Sequence, residues 1–248
     1  MIHLRSHREI EHIRASCRVV VAALDAVRRA ISAGMTTAEL EQVVGEVIAT
    51  HGAQSAFKGY RGYPALTCIS VNEEVIHGIP GRRVLREGDI VSVDVGVKVN
   101  GYYGDGATTI PVSNVSLEIQ RLLKVTEEAL YRAITQARIG KRLSDISFTV
   151  QQWAESHGFS VVREFVGHGL GRYLHEEPQI PNFGEPGRGP RLMKGMVLAI
   201  EPMINMGRPE VRVLEDKWTA VTVDGLPSAH FEHTVVITDD EPDILTKP

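Results

Sequence analysis

Asp94 and Asp105 flank an Asn100-Gly101 pair in the run DIVSVDVGVKVNGYYGDGATT (89–109). Asn-Gly between β-branched runs is the strongest short-range signal for a two-residue type I′ hairpin turn. With Val99 facing Tyr102 across that turn, paired residue numbers sum to 201, so Asp94 faces Ala107 and Asp105 faces Gly96. Side chains alternate faces with period two. Both carboxylates therefore share a face as diagonal neighbours, roughly 7 Å apart at Cβ. Carboxylates held that close in a β-rich core repel unless protons or a divalent cation sit between them. The hairpin alone leaves open a plainer reading, two strand-edge aspartates facing water, and a β-bulge would break the parity.

The second half of the chain adds polar residues in apolar runs. His168 sits among three glycines in FVGHGLGR (165–172), and His175 follows seven residues on, opening His-Glu-Glu-Pro. A regular strand would put these histidines on opposite faces; the glycines permit a bend that turns both to one cleft. Glu201 follows Val197-Leu-Ala-Ile200, and Glu232 lies in the strand-like run AHFEHTVVI (229–237), neither run holding a lysine or arginine. An unpaired carboxylate buried there is costly. Asp94, Asp105, Glu201 and Glu232 together carry four negative charges, which two divalent ions balance, with His168 as a neutral donor. That set suits a dinuclear site for Mn²⁺, Fe²⁺, Co²⁺ or Zn²⁺ better than one zinc or calcium ion. Such a pair activates water for hydrolysis. Ordinary structural roles for the five are the competing reading.

The elements around these residues repeat. Ser6/Glu9 and Thr36/Glu39 have the spacing of capping boxes. They open a helix with an apolar stripe from Ile10 to Ile31 that stops at Gly34, and a second helix that stops at Gly52. A Gly/Tyr/Pro loop runs into a short strand, and a turn-rich segment (72–81) carries His77 ahead of the hairpin. A long helix from about Leu117 to Arg138 and a shorter one from about Ser144 to Gly158 then restart the pattern. Gly34/Gly140, Leu40/Ile146, Val44/Val150 and Gly52/Gly158 are each 106 apart, while Leu85/Leu192, Gly88/Gly195 and Asp94/Glu201 are each 107 apart. A shared offset indicates a duplicated unit. We expect a single catalytic domain over 1–248, with halves about 6–112 and 116–240, its sheets side by side and its helices behind them. Asp94 and Glu201 would then meet at a pseudo-twofold axis.

Composition narrows the class. The 43% apolar share supports a full core, and a net charge of −4 gives no case for nucleic acid or acidic membranes. Cys17 and Cys68 are too few for a disulfide framework and read as cytosolic thiols. The charged start, MIHLRSHREIEHIR, is no signal peptide, and no apolar run approaches a membrane span.

Five motifs in order, GYRGYPALTCISVNEEVIHGIP (59–80), DIVSVDVGVKVNGYYGD (89–105), FVGHGLGRYLHEEP (165–178), LAIEPM (198–203) and FEHT (231–234), resemble the type I methionine aminopeptidases. The resemblance spans nearly the whole chain. It implies the α+β pita-bread fold, with two pseudo-twofold-related halves, antiparallel strands around a central dinuclear site and helices outside. It also implies two divalent ions (Co, Mn, Fe, Zn or Ni). Asp94 would chelate one, Asp105 and Glu232 would bridge both, and His168 and Glu201 would complete the other, Glu201 also passing on the proton of the attacking water. His77 and His175 would contact the scissile peptide without binding metal. Tyr60, Tyr63, Cys68 and Trp218 would line the methionine side-chain pocket. The implied partners are Met-led peptides and nascent chains with a small second residue, and the ribosome, and the implied state is a monomer; composition adds the expectation of a cytoplasmic protein without membrane or nucleic-acid partners. Arg61, Leu174 and Phe57 depart from residues common in the family, which bears on pocket shape and rim charge, not on the ligands.

Two rival readings remain at this level. One is a proline-specific aminopeptidase or dipeptidase on the same fold, which usually carries a large N-terminal domain; only about 90 residues precede Asp94 here. The other is a catalytically dead binding module, expected to have lost ligands that are all present in this sequence.

Overall fold

In the computed structural model, which describes residues 1–247, two helix pairs are each followed by a run of strands, and the four helices fall in the order the sequence patterning predicts. The chain opens with α1 (His7–Ala30) and α2 (Thr37–Thr50), then β1 (Gln54–Ser55), β2 (Cys68–Val71), β3 (Glu74–Ile76), β4 (Ile90–Val99) and β5 (Tyr102–Pro111). It continues with α3 (Leu117–Ile134), α4 (Leu143–Ser156), β6 (Ser160–Val161), β7 (Val166–Gly169), β8 (Glu176–Pro181), β9 (Val197–Ile200) and β10 (Met203–Asn205). The remaining strands are β11 (Val211–Val213), β12 (Ala220–Thr222), β13 (Ser228–His230), β14 (His233–Val236) and β15 (Asp243–Ile244).

Local chemistry sets the helix ends. Ser6 Oγ accepts from the Glu9 N–H at 3.4 Å, and Glu9 Oε2 accepts from the Ser6 N–H at 3.0 Å. Thr36 and Glu39 exchange the same pair at 3.2 and 2.7 Å. Both boxes satisfy amides that the first turn leaves without helical partners. Helix α3 ends at Ile134, short of the expected Arg138, because the amides of Gln136 and Ala137 reach back only three residues. Helix α4 starts at Leu143, where Asp145 Oδ2 accepts the Arg142 N–H at 2.7 Å.

The β4–β5 ladder runs unbroken from Ile90↔Pro111 to Val99↔Tyr102, with Asp94 opposite Ala107 and Gly96 opposite Asp105. Strand β4 also carries β2 and β1 on its other edge. Val91, Val93, Val95 and Val97 pack with Val20, Val27, Leu40 and Val44 of α1 and α2 into one core cluster. The equivalent layer holds α3 and α4 residues Leu122, Leu130, Ile146 and Val150 with Leu198, Ile200 and Val235 of a five-stranded sheet ordered β15-β14-β9-β7-β8. Two three-stranded sheets, β13-β10-β6 and β11-β12-β3, complete the α+β architecture.

The sequence offsets reappear as pairing. Gln54↔Lys98 in one sheet matches Ser160↔Asn205 in another, and the isolated bridge Thr36↔Val84 matches Arg142↔Arg191. The turn-rich segment 72–81 also contains a short strand, β3, which pairs with β12 from the far end of the chain.

Candidate active site

Each candidate acid comes from a strand or the residue beside one. Asp94 lies on β4 and Asp105 on β5; Glu201 directly follows β9, and Glu232 lies between β13 and β14. The antiparallel pairing that buries the valines turns these carboxylates to a common point. Asp94, Asp105, His168, Glu201 and Glu232 are all between 3% and 8% exposed. Asp94 and Asp105 occupy the diagonal positions on paired strands that the hairpin register predicts. His168 Nε2 lies 3.6 Å from Glu201 Oε1 and 3.9 Å from Asp105 Oδ2. Donor atoms of Asp105, His168 and Glu232 lie within 4.8 Å of one another. The Glu232 N–H donates to Ala107 O at 2.9 Å, fixing that carboxylate against the back of the hairpin.

Burial pushes the carboxyls of Asp94, Asp105, Glu201 and Glu232 up, and repulsion among them adds to the rise for the last three. Burial pulls His168 down to about 3, so its ring is neutral. Its Nδ1 donates to Gly169 O at 3.0 Å, which assigns the tautomer and leaves the Nε2 lone pair facing the acids. Asp94 Oδ1 and Glu232 Oε1 are buried with no hydrogen-bond partner. Buried polar atoms are otherwise almost always paired. Arg61, an exposed residue, is the only lysine or arginine among those lining the cavity. Orphaned oxygens, a neutral imidazole donor and uncompensated acid make a set that fits divalent cations.

The five residues open on a cavity of about 570 Å³ that His77, His175, Tyr60, Tyr63, Cys68 and Trp218 also line. The sequence singled out all eleven. Tyr63 donates its hydroxyl to Gly78 O at 2.9 Å and meets Trp218 edge-on, with ring centroids 5.1 Å apart. Cys68 pairs across the β2–β4 ladder with Asp94, so the apolar wall and the acids share adjacent strands. Phe57 and Leu174 pack in the same cluster as Tyr63 and Cys68, which makes them parts of this wall. His77 has φ +60, the left-handed region, and its ring stands edge-on to Phe165 at 5.4 Å. Such a conformation is uncommon outside glycine and collects at functional sites. The expected bend after His168 is present: the β7–β8 register shifts between His168 and Gly169, and the rings of His168 and His175 come within 4.3 Å. His175 Nδ1 is bonded to the Tyr60 hydroxyl at 2.8 Å.

Sequence reasoning missed Ile76, Phe165 and Gln179 in the cavity wall, and it missed His230. His230 is 1% exposed, and its Nε2 lies 3.7 Å from Glu201 Oε2 without a hydrogen-bond partner. A signal existed: His230 lies two residues before Glu232 in a strand-like run, where period two favours a shared face.

The sequence pattern of metallopeptidase family M24 matches residues 11–239. A methionine aminopeptidase of Bacillus subtilis is 51% identical over 247 residues, covering both chains fully. The crystal structure of a methionine aminopeptidase from Thermotoga maritima superposes with a TM-score of 0.99 at 50% identity, again covering both chains. A prolidase from Pyrococcus furiosus shares the fold with a TM-score of 0.81 and 26% identity, but the match covers only 65% of that longer chain. Full-length identity near one half, and a fold that leaves no part of either chain over, place this chain in metallopeptidase family M24, among the type I methionine aminopeptidases of pita-bread fold.

Proposed function

We propose that the protein is a metal-dependent aminopeptidase that removes methionine from the N-terminus of peptides and nascent chains whose second residue is small. The observation that carries this is the cavity itself, where five buried acid and imidazole groups adjoin a wall of aromatic rings and one thiol. Asp94, Asp105 and Glu232 would hold two ions, with His168 and Glu201 completing the set; Mn, Fe, Co, Ni and Zn all suit these donors. When bound, such ions supply Lewis acidity and lower the pKa of water to near neutrality.

The chain's own residues do the rest. Tyr60, Tyr63, Cys68 and Trp218, with Phe57 and Leu174, offer the methionine thioether an apolar and polarisable seat. Burial lowers the pKa of His77 to about 4 and also lowers that of His175, so each ring is neutral near pH 7 and carries one N–H. With the Tyr60 hydroxyl donating to His175 Nδ1, Nε2–H would be the donor turned to a peptide. Donors held in place before charge develops on the scissile amide are the effective kind. Glu201, as a carboxylate beside the ions, would take the proton of the attacking water and return it to the departing amine; burial raises its pKa, which makes that carboxylate a better base.

No helix among the described residues is long and apolar enough to cross a membrane. The proposal extends to a cytoplasmic monomer that meets nascent chains as they leave the ribosome. The test is hydrolysis of Met-Ala-Ser, Met-Ile-Ser and Pro-, Leu- and Ala-led peptides by apo-protein given each divalent metal in turn. Turnover of Met-Ala-Ser above all others is expected. Preference for a Pro-led peptide would convert the assignment to the proline-specific branch, and metal uptake without any turnover would make the protein a binding module.

A further inference from the structure

We propose that Arg5 is a positioning residue for His175: through Glu176, its guanidinium fixes the turn that presents the imidazole to the cavity. This rests on the functional reading above. Arg5 and Glu176 lie 171 positions apart, yet each side chain is only 6% exposed. Arg5 Nη2 donates to Glu176 Oε2. The other oxygen, Glu176 Oε1, accepts the backbone N–H groups of Arg172 at 2.9 Å and Tyr173 at 3.0 Å. One carboxylate thus closes the Arg172–Glu176 turn on itself, and one guanidinium compensates its charge. Glu9 Oε1 stands 3.6 Å from Arg5 Nη1 and 3.8 Å from Arg172 Nε, extending the cluster at its outer side.

The backbone around Arg5 is shaped to receive it. A Cβ at Gly171 would lie 2.4 Å from Arg5 Nη2, so the guanidinium lies where any other residue would put its side chain. The Arg5 N–H donates to Gly195 O at 2.7 Å, and a Cβ at Gly195 would come within 2.8 Å of Arg5 O. Side chain and main chain of the segment before α1 are therefore seated at two separate glycines. His175 adjoins Glu176 in sequence, lines the cavity and has a single side-chain hydrogen bond, to Tyr60. The main chain on its C-terminal side is held by the clasp.

A buried carboxylate that loses its cation must gain water or a proton, and either outcome loosens the amides it holds. A catalytic group displaced by about 1 Å loses up to about 10²-fold in rate. A clasp that only stabilised the segment before α1 would lower thermal stability and leave the turnover of folded enzyme untouched. The experiment compares wild type, Arg5→Met and Arg5→Lys, all Mn-loaded, for kcat and KM on Met-Ala-Ser, metal content, and hydrogen exchange at the Arg172 and Tyr173 amides. For Arg5→Met, kcat falls about 10- to 100-fold, KM and metal content hold, and those two amides exchange faster while the Glu9 amide does not. Arg5→Lys, which keeps the charge without the fork, falls between in both kcat and exchange. Wild-type kcat in Arg5→Met overturns the proposal, as does a kcat loss with both amides still protected. If Arg5→Met does not fold, wild-type kcat and exchange in Arg5→Lys overturn it. Absence of turnover in wild type would instead strike the functional reading, and the amide exchange would still report on the clasp.

Discussion

Removing metal should reverse the sign of the protein's response to pH. In the folded apo-protein, burial and mutual repulsion hold the four site carboxyls above their ordinary range. A raised carboxyl keeps a proton that the unfolded chain releases above about pH 4. Its stabilising contribution is full below that pH and is lost as pH climbs towards the folded-state value. Each proton so retained costs about 1.4 kcal/mol per pH unit, or roughly 3 kcal/mol between about pH 5 and pH 7. For a chain of 248 residues, that is a fall in Tm of about 6–12 °C. Divalent ions replace those protons, so the loaded protein gains affinity, and hence stability, over the same interval. Ion present at about a hundred times its Kd adds near 2.7 kcal/mol per site. Calorimetry of EDTA-treated and Mn-loaded protein at half-unit steps of pH therefore yields two curves that diverge as pH rises. Asp105→Asn, with one charge fewer, should flatten the apo curve and shrink the gain from metal. Parallel curves, or an apo Tm that rises with pH, would refute the claim that these acids are held together uncompensated.

Two further outcomes follow from the cavity's walls. His77→Ala should lower kcat by roughly 10²-fold with metal content unchanged, the scale of losing one preorganised donor; a loss of bound metal would show that His77 belongs to the ligand set. Gly96→Ala would place a Cβ 2.5 Å from the Phe57 ring and 3.1 Å from Ala56, forcing the ring into the cavity; KM for Met-Ala-Ser should rise more than kcat falls, and an unchanged KM would remove Phe57 from the substrate wall.

Short-range physics made much of this molecule readable. The Asn100-Gly101 turn and period-two alternation were enough to give the pairing of Asp94 and Asp105, because nothing between them slips the ladder. The capping boxes marked where α1 and α2 begin, since the Ser6 and Thr36 hydroxyls act within three residues of their own position. Charge balance drew five of the cavity residues together, and the family resemblance added the other six. Long-range pairing was opaque. β3 exists because β12 offers it an edge across more than 140 positions, and nothing within 72–81 announces that partner. His230 is a different case: its period-two spacing from Glu232 was a local signal, but its approach to Glu201 comes from a residue 29 positions away in sequence. The clasp between Arg5 and Glu176 has no local signature at all. The end of α3 was misread because Thr135 to Arg138 are adequate helix formers, and the tighter three-residue turns there are set by hydrogen bonding that propensity does not encode.

The order in which the donors occur along the chain has a consequence for synthesis. Asp94 and Asp105 are made early and share one hairpin, whereas Glu232 is the last of the five and lies between β13 and β14. The Thr234 hydroxyl donates to Asp105 O at 2.7 Å across 129 positions, so closing the site and joining the two ends of the sheet system are one event. A polypeptide emerges N-terminus first. Until the stretch around Glu232 has left the ribosome, the growing chain holds two adjacent acids and cannot assemble the full cation trap. Under the proposed function, a partly made copy would hold an incomplete donor set and stay inactive until its own translation is nearly over.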